Sequence, residues 1–160
     1  MHSDTERDRR IAAALGWLLT QLDTVPYSVC GGLAAMAYGS QRALNDIDLF
    51  VPEIEFHAMA AKCQPYISRP AARYQGEGWD LEYLQLIVDG IKIEIGNPKD
   101  TYIFNVQLNE WQPLLIDFDA VDTHRLFGHN LSVMRQADLV AYKSVLQRDV
   151  DVQDIKQMKQ

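Results

Sequence analysis

Apolar positions recur at helical spacing between residues 5 and 23, where Ile11, Leu15, Leu18, Leu19 and Leu22 share a stripe and charged residues crowd the first turns. That pattern predicts an amphipathic helix, which Pro26 stops. The next apolar run, "YSVC" from Tyr27 to Cys30, reads as a short strand ending at Gly31-Gly32. The Ala-rich "LAAMAYGS" fits two helical turns ended by Gly39. "DIDLFV", Asp46 to Val51, alternates as a strand does and is closed by Pro52. Residues 53–64 read as helix, with Ile54, Ala58, Ala61, Phe56 and Met59 as packing positions.

The pattern then changes period. "DLEYLQLIVDGIKIEIGNP" holds two apolar-rich runs joined at Asp89-Gly90, a hairpin signal. In the second run Ile91, Ile93 and Ile95 face one way, Lys92 and Glu94 the other. Residues 97–120 give no readable pattern. "VDTHRLFGHNLSVM" suggests a further hairpin or short strands around Gly128, and from Arg135 the chain turns helical, broken near Asp149 to Asp151. No internal repeat or low-complexity linker interrupts this order. Helices and strands so arranged predict an α/β (α+β) fold, a mixed β-sheet flanked by helices. Residues 1–134 would form the core with its N-terminal helix, and residues 135–160 a C-terminal helical segment packed on the same domain.

Composition narrows the class without naming a function. The 160 residues suit one domain, and 48% hydrophobic with 23% charged is ordinary for a globular chain. A net charge of -7 argues against coating long nucleic acid, but suits a clustered acidic site that needs cations. Cys30 and Cys63 form no CxxC and no zinc-spaced pair, so a reducing cytoplasm is the expected compartment, with Cys30 a buried small hydrophobe. The polar start "MHSDTERDRR" is no secretory signal, and no run approaches a membrane span.

Chemistry concentrates around the Asp pair. Asp46 and Asp48 are two apart on a strand, so both carboxylates point to one face with Ile47 turned inward. Two such close carboxylates stay ionised together most readily with a divalent cation between them, and magnesium typically takes one or two carboxylates plus substrate phosphates. Taken alone, the pair fits the wet face of a half-buried strand better than a metal site. Gly31-Gly32 joins a strand to a helix, where backbone N–H groups can receive phosphate oxygens, or simply makes a tight turn. Glu94 is a third acid on a polar strand face. If a neighbouring strand brought it to the Asp pair, the three could hold two metals for an in-line phosphoryl displacement; otherwise it is a surface acid partnered by Lys92. Lys143 falls in an apolar stripe with Leu139 and Leu146, either snorkelling or directed into an anionic site. His2, His57, His124 and His129 have no ligand spacing.

Together these residues resemble the polymerase-β-like nucleotidyltransferase superfamily, in the small bacterial and archaeal branch near the type IV abortive-infection nucleotidyltransferase toxins and the aminoglycoside nucleotidyltransferases. The likeness is carried by "GGLA", "GSQR" and "DIDL" in that order, by Glu94 as third acid, and by Lys143, Arg148 and "DVQDI" toward the C-terminus, and it spans about residues 27–155. It implies a nucleotidyltransferase fold in which Asp46, Asp48 and Glu94 bind Mg²⁺ (or Mn²⁺) and do the catalytic work. Gly31 and Gly32 would cradle the distal phosphates, with Arg42 and Lys143 as further nucleotide contacts. The implied reaction moves a nucleoside monophosphate from a nucleoside triphosphate to an acceptor hydroxyl. The acceptor could be a small molecule such as an antibiotic, a protein or a tRNA end. A catalytically inactive nucleotide-binding or interaction module, or a toxin–antitoxin component, is the alternative. Leu33 stands where the family often has Ser or Thr, Val150 where it often has a basic residue, and the third acid is Glu rather than the commoner Asp. Asp151 and Asp154 are expected to fix the C-terminal helix by capping and ion pairs. Base preference and oligomeric state stay open.

Overall fold

The computed structural model describes residues 2–158, and the side chains of residues 2–4, including His2, lie outside what it describes. Five α-helices and nine strands follow one another as α1 (His2–Leu22), β1 (Ser28–Cys30), α2 (Gly31–Ala37), β2 (Asp46–Phe50), α3 (Glu53–Lys62), β3 (Ile67–Gly76), β4 (Trp79–Val88), β5 (Ile91–Gly96), β6 (Tyr102–Asn105), β7 (Glu110–Pro113), β8 (Val121–Leu126), β9 (His129–Met134), α4 (Gln136–Leu146) and α5 (Asp149–Gln157). All strands join one sheet in the order β7-β6-β4-β5-β2-β1-β9-β8, with β3 paired to β4 off that path. The β2–β5 and β1–β9 pairs are parallel and the rest antiparallel, so the sheet is mixed, as expected.

Alternation along the strands sets the register. Leu84 pairs with Ile95, Ile95 with Leu49, Leu49 with Val29 and Val29 with Val133, an apolar row across five strands. A second row runs Leu86–Ile93–Ile47. Every member of both is buried. A one-residue slip of any strand would turn its apolar set away from the core, which pins the register firmly. On α1 the stripe of Ile11, Leu15, Leu18 and Leu22 is buried and packs across β5 and β9.

On α3 the buried pair is Phe56 and Met59, while Ile54 is 80% exposed; the Ile54, Ala58, Ala61 stripe faces solvent. Three hairpins turn on the same device, a left-handed residue followed by a left-handed glycine: Glu77-Gly78, Asp89-Gly90 and Phe127-Gly128. Successive positive φ values match the twist of the flanking strands. The break between α4 and α5 lies at Gln147, φ 52°, two residues before the expected one. The unreadable stretch 97–120 contains the β6–β7 hairpin. Among the described residues no helix is long and apolar enough to cross a membrane.

Candidate functional site

The parallel pairing of β2 with β5 sets Asp48 directly beside Glu94 and Asp46 beside Lys92. Because side chains alternate, Asp46, Asp48 and Glu94 rise from the same face, opposite to buried Ile47 and Ile93. One carboxylate oxygen from each of the three lies within 4.8 Å of the others. That spacing is unfavourable for three naked charges. Burial, then Glu94 and Asp46 as neighbours, push the Asp48 carboxyl well above its ordinary range. Glu94 is also raised, by burial first and by Asp46, and Asp46 by burial, against the opposing charges of Lys92 and Arg7. Three convergent hard oxygens are a donor set for a divalent cation. Glu94 is therefore half-buried with the Asp pair rather than a surface acid.

On the other side of β2, Cys30 of β1 pairs with Asp48, and Gly31 follows at φ 64°. A Cβ on Gly31 would lie 2.4 Å from Asp48 Oδ2. Gly31 is thus required twice, by its left-handed backbone and by the carboxylate beside it. Its N–H donates to the Tyr142 hydroxyl at 2.8 Å. Tyr142 is buried on α4, and burial raises its phenol well above the ordinary range. The expected cradle donor is thus already bonded. Gly31→Ala is expected to lose most divalent-cation binding with a modest loss of stability; wild-type Mn²⁺ affinity by titration calorimetry in the folded variant would count against this close fit.

Leu33 is 0% exposed, in the core, and does not line the cavity at the acids. A hydroxyl at this position would enter the core rather than meet phosphates. The burial of Cys30, with Asp48 next, raises its thiol strongly, so it is an unreactive filler.

Arg42 and Lys143 do not join the acids. Lys143, 1% exposed, ion-pairs with Asp151 at 3.2 Å and Asp154 at 3.0 Å. Arg42 holds Asp154 through Nε at 2.7 Å and through a terminal nitrogen at 3.0 Å. Arg148 holds Asp151 at 2.7 and 3.0 Å, and its backbone N–H caps onto the same carboxylate at 3.1 Å. The charges therefore alternate, Arg42–Asp154–Lys143–Asp151–Arg148, leaving one positive charge in excess. Ser40 adds a hydroxyl to Asp154 at 2.8 Å. Burial alone would raise Asp154, but the bonds from Arg42, Lys143 and Ser40 outweigh it and hold the carboxyl below its ordinary range. The row ties α2's exit, α4 and α5 together. Its two ends flank the glycines: Arg42's guanidinium lies 2.9 Å from a Cβ position on Gly32, and Arg148 lines the cavity beside Gly31.

That cavity, about 170 Å³, opens against Asp48 and Glu94. Its far wall is the β3–β4 hairpin with Tyr74, Glu77, Trp79 and Tyr83. These residues, with Tyr142, carry no sequence signal of their own: nothing in the spacing of aromatic residues says which strand will sit beside the Asp pair.

No family model and no curated protein matches the chain. Solved structures that share its architecture include two that each cover about nine-tenths of the chain. A provisionally assigned nucleotidyltransferase, TM1012 from Thermotoga maritima, is 19% identical with a TM-score of 0.68, covering 90% of this chain and 89% of its own. The lincosamide antibiotic adenylyltransferase LnuA, solved with lincomycin bound, is 15% identical with a TM-score of 0.58, covering 89% of this chain and 92% of its own. The chain has the nucleotidyltransferase fold, as its sequence resemblance implied.

Proposed function

We propose that the protein is a metal-dependent nucleotidyltransferase, moving a nucleoside monophosphate from a nucleoside triphosphate to an acceptor hydroxyl. The observation that carries this reading is the convergence of Asp46, Asp48 and Glu94 within 4.8 Å on adjacent parallel strands, in a nucleotidyltransferase fold. The donor set suits Mg²⁺ or Mn²⁺, which when bound would neutralise charge on the phosphates. Asp46 and Asp48 would hold the cation, and Glu94 would share it or accept the acceptor's proton. Gly31 and Gly32 would flank the phosphates, with the Gly31 N–H held by the Tyr142 hydroxyl. Arg42 and Lys143 act on the nucleotide through the charge row: the row's surplus positive charge beside Gly32 favours an anionic tail there. Most of the rate comes from alignment and charge neutralisation.

The test is incubation with each α-labelled triphosphate and Mg²⁺ or Mn²⁺ across small-molecule, protein and tRNA acceptors. Label moving to an acceptor, with pyrophosphate released, supports transfer. Metal-dependent triphosphate binding with no turnover supports the second reading, a nucleotide-binding module. The Gly31–Tyr142 bond favours that one, because one phosphate donor is already engaged.

The raised acids add a pH dependence. Carboxyls elevated in the fold keep protons above about pH 4 that the unfolded chain has lost. The folded state then binds more protons, so these groups make the metal-free protein less stable as pH rises through their folded range. A divalent cation needs the deprotonated acids and competes with those protons. Mg²⁺ should therefore raise the melting temperature more at pH 8 than at pH 5.5, with proton release detectable by indicator dye. Equal increments at both pH values would sink the assignment of the cation to this triad.

A further inference from the structure

A second cavity lies against Tyr142, apart from the acids. Its volume is about 420 Å³, within the roughly 300–1,000 Å³ of small-molecule sites. One wall is the segment that leaves β7 and leads to β8, and α4 stands opposite with Ala141, Tyr142 and Val145. Leu114 N–H anchors that segment by donating to the Thr101 carbonyl at 2.9 Å. Leu114 and Ile116 pack toward the core, whereas Leu115 is 86% exposed. Neither the acid triad nor Gly31-Gly32 lines this cavity. Tyr142 alone lines both it and the cavity at the acids. The cross-strand pair Ser28–Phe50 is divided between them, with Phe50 at the first and Ser28 at the second.

Ser28 points to a ligand there. Seven polar or charged residues among those described are buried, and six of them hydrogen-bond through their side chains. Ser28, 1% exposed, is the exception: its hydroxyl bonds to no described residue. Every fully enclosed side-chain oxygen or nitrogen among the described residues has a partner, so the Ser28 oxygen meets open space, and the space beside it is this cavity. A buried hydroxyl without a partner costs stability that an alanine would not. Around it the lining is largely apolar, with Ile103 and Met134 near the sheet. Asp117 and Asp138 are exposed and also line the cavity, and no lysine, arginine or histidine does. The nearby Arg135 pairs with Asp122 at 3.9 Å instead. An anion is therefore disfavoured at the mouth.

We propose that this cavity is a second ligand site, for a small, largely apolar molecule with a hydrogen-bonding atom at its inner end and no negative charge, and that Tyr142 couples it to the Gly31 turn. The inner atom bonds the Ser28 hydroxyl, and the apolar body fills the space between α4 and the segment after β7. Coupling follows from the shared wall. The Tyr142 hydroxyl accepts the Gly31 N–H at 2.8 Å, and Gly31 lies against Asp48. A ligand pressing on the ring shifts the oxygen that holds this turn. Such a ligand acts only as far as it binds the two arrangements of Tyr142 unequally, and the cation at the acids must then act back on the ligand by the same factor. Binding in the cavity does not depend on nucleotidyl transfer; the effect on the cation rests on that reading.

The test titrates indole, tryptamine and indole-3-acetate separately into the full chain, neutral, cationic and anionic forms of one apolar body whose N–H can donate to Ser28. The reporter is the Met134 methyl signal in protein labelled with ¹³C-methyl methionine, assigned with Met134→Leu. Indole and tryptamine are expected to shift it saturably, with indole-3-acetate at least ~5-fold weaker. Ser28→Ala should weaken indole about 3–10-fold. Ala141→Leu, at an exposed helix position, should crowd the cavity and abolish the shift. No saturable shift, equal binding of all three probes, or wild-type affinity in both variants would overturn the site. For the coupling, saturating indole should change Mg²⁺ affinity by calorimetry at least ~5-fold, and Tyr142→Phe should remove that change while indole still binds. Equal Mg²⁺ affinity with and without indole would overturn the coupling. Absence of Mg²⁺ binding in wild type would instead remove the metal reading beneath it, with the Met134 shift still deciding the site.

Discussion

Asp48→Asn is expected to abolish nucleotidyl transfer and, at the same time, to raise the melting temperature of the metal-free protein. The two effects share one cause. Asp48 stands between Glu94 and Asp46 in a partly buried setting, and its carboxyl is pushed well above the ordinary range by desolvation and those neighbours. Asparagine keeps the size and removes the charge, so the repulsion among three acids is relieved in the fold. The same change removes an oxygen of the proposed cation site, and loss of a charge-stabilising group in a transition state typically costs ~10²–10³-fold in rate. Asp46→Asn with Asp48→Asn should leave no measurable transfer. The measurements are labelled-nucleotide transfer and thermal melts with and without Mg²⁺. Transfer within about tenfold of wild type would remove these acids from the mechanism. Loss of stability in the metal-free variant would mean that Asp48 is a structural residue.

Lys143→Met should have the largest effect on stability. Lys143 is buried between Asp151 and Asp154, and removing it leaves two buried carboxylates with less compensation. Breaking a buried ion pair from one side typically costs about 3–5 kcal/mol. For a domain of this size, that is about 10 °C or more in melting temperature. Lys143→Met combined with Asp154→Asn should cost less than the sum of the two single changes, because the residues share one network. A Lys143 serving the nucleotide alone would give a different result: intact melting and weakened triphosphate binding. Additive single effects would likewise argue against the row. Asp154, held below its ordinary range, adds an acid limit. Its stabilisation is present above about pH 4 and is lost as pH falls through its depressed value.

Strand alternation made the acids legible. Asp46 and Asp48 flank Ile47, Glu94 lies between Ile93 and Ile95, and each apolar neighbour declares which way the acid points. The parallel register that brings Glu94 beside Asp48 is a long-range fact that alternation only permits. The buried charge row was half legible. A lysine in an apolar stripe is visible in the sequence, but the carboxylates it meets, a helix away, are not. That is why Arg42 and Lys143 read as nucleotide contacts, whereas the fold matches both to Asp154. Leu33 invites a functional reading only until its burial is known. β3 escaped because Pro70 and its polar residues spoil the alternation, which an edge strand tolerates. Its turn escaped as well, since Glu77-Gly78 lacks the Asn or Asp that usually marks such a pair. The cavity wall was lost with it.

The strand order has a consequence for how the chain folds. β1, only three residues long, is held on one side by β2 and on the other by β9, with Val29 matched to Val133. Ser40 and Arg42 meet Asp154 across a comparable sequence distance. Both closures bring together parts of the chain made early and late. Long-range parallel pairing carries a large loop-closure entropy and slows folding. The β4–β5 hairpin can form from local contacts, but the glycine turn beside Asp48 must wait for β9 and the last helices. A nascent chain halted before residue 130 would therefore expose the acids without the frame that orients them, and refolding should regain cation binding in its slowest phase.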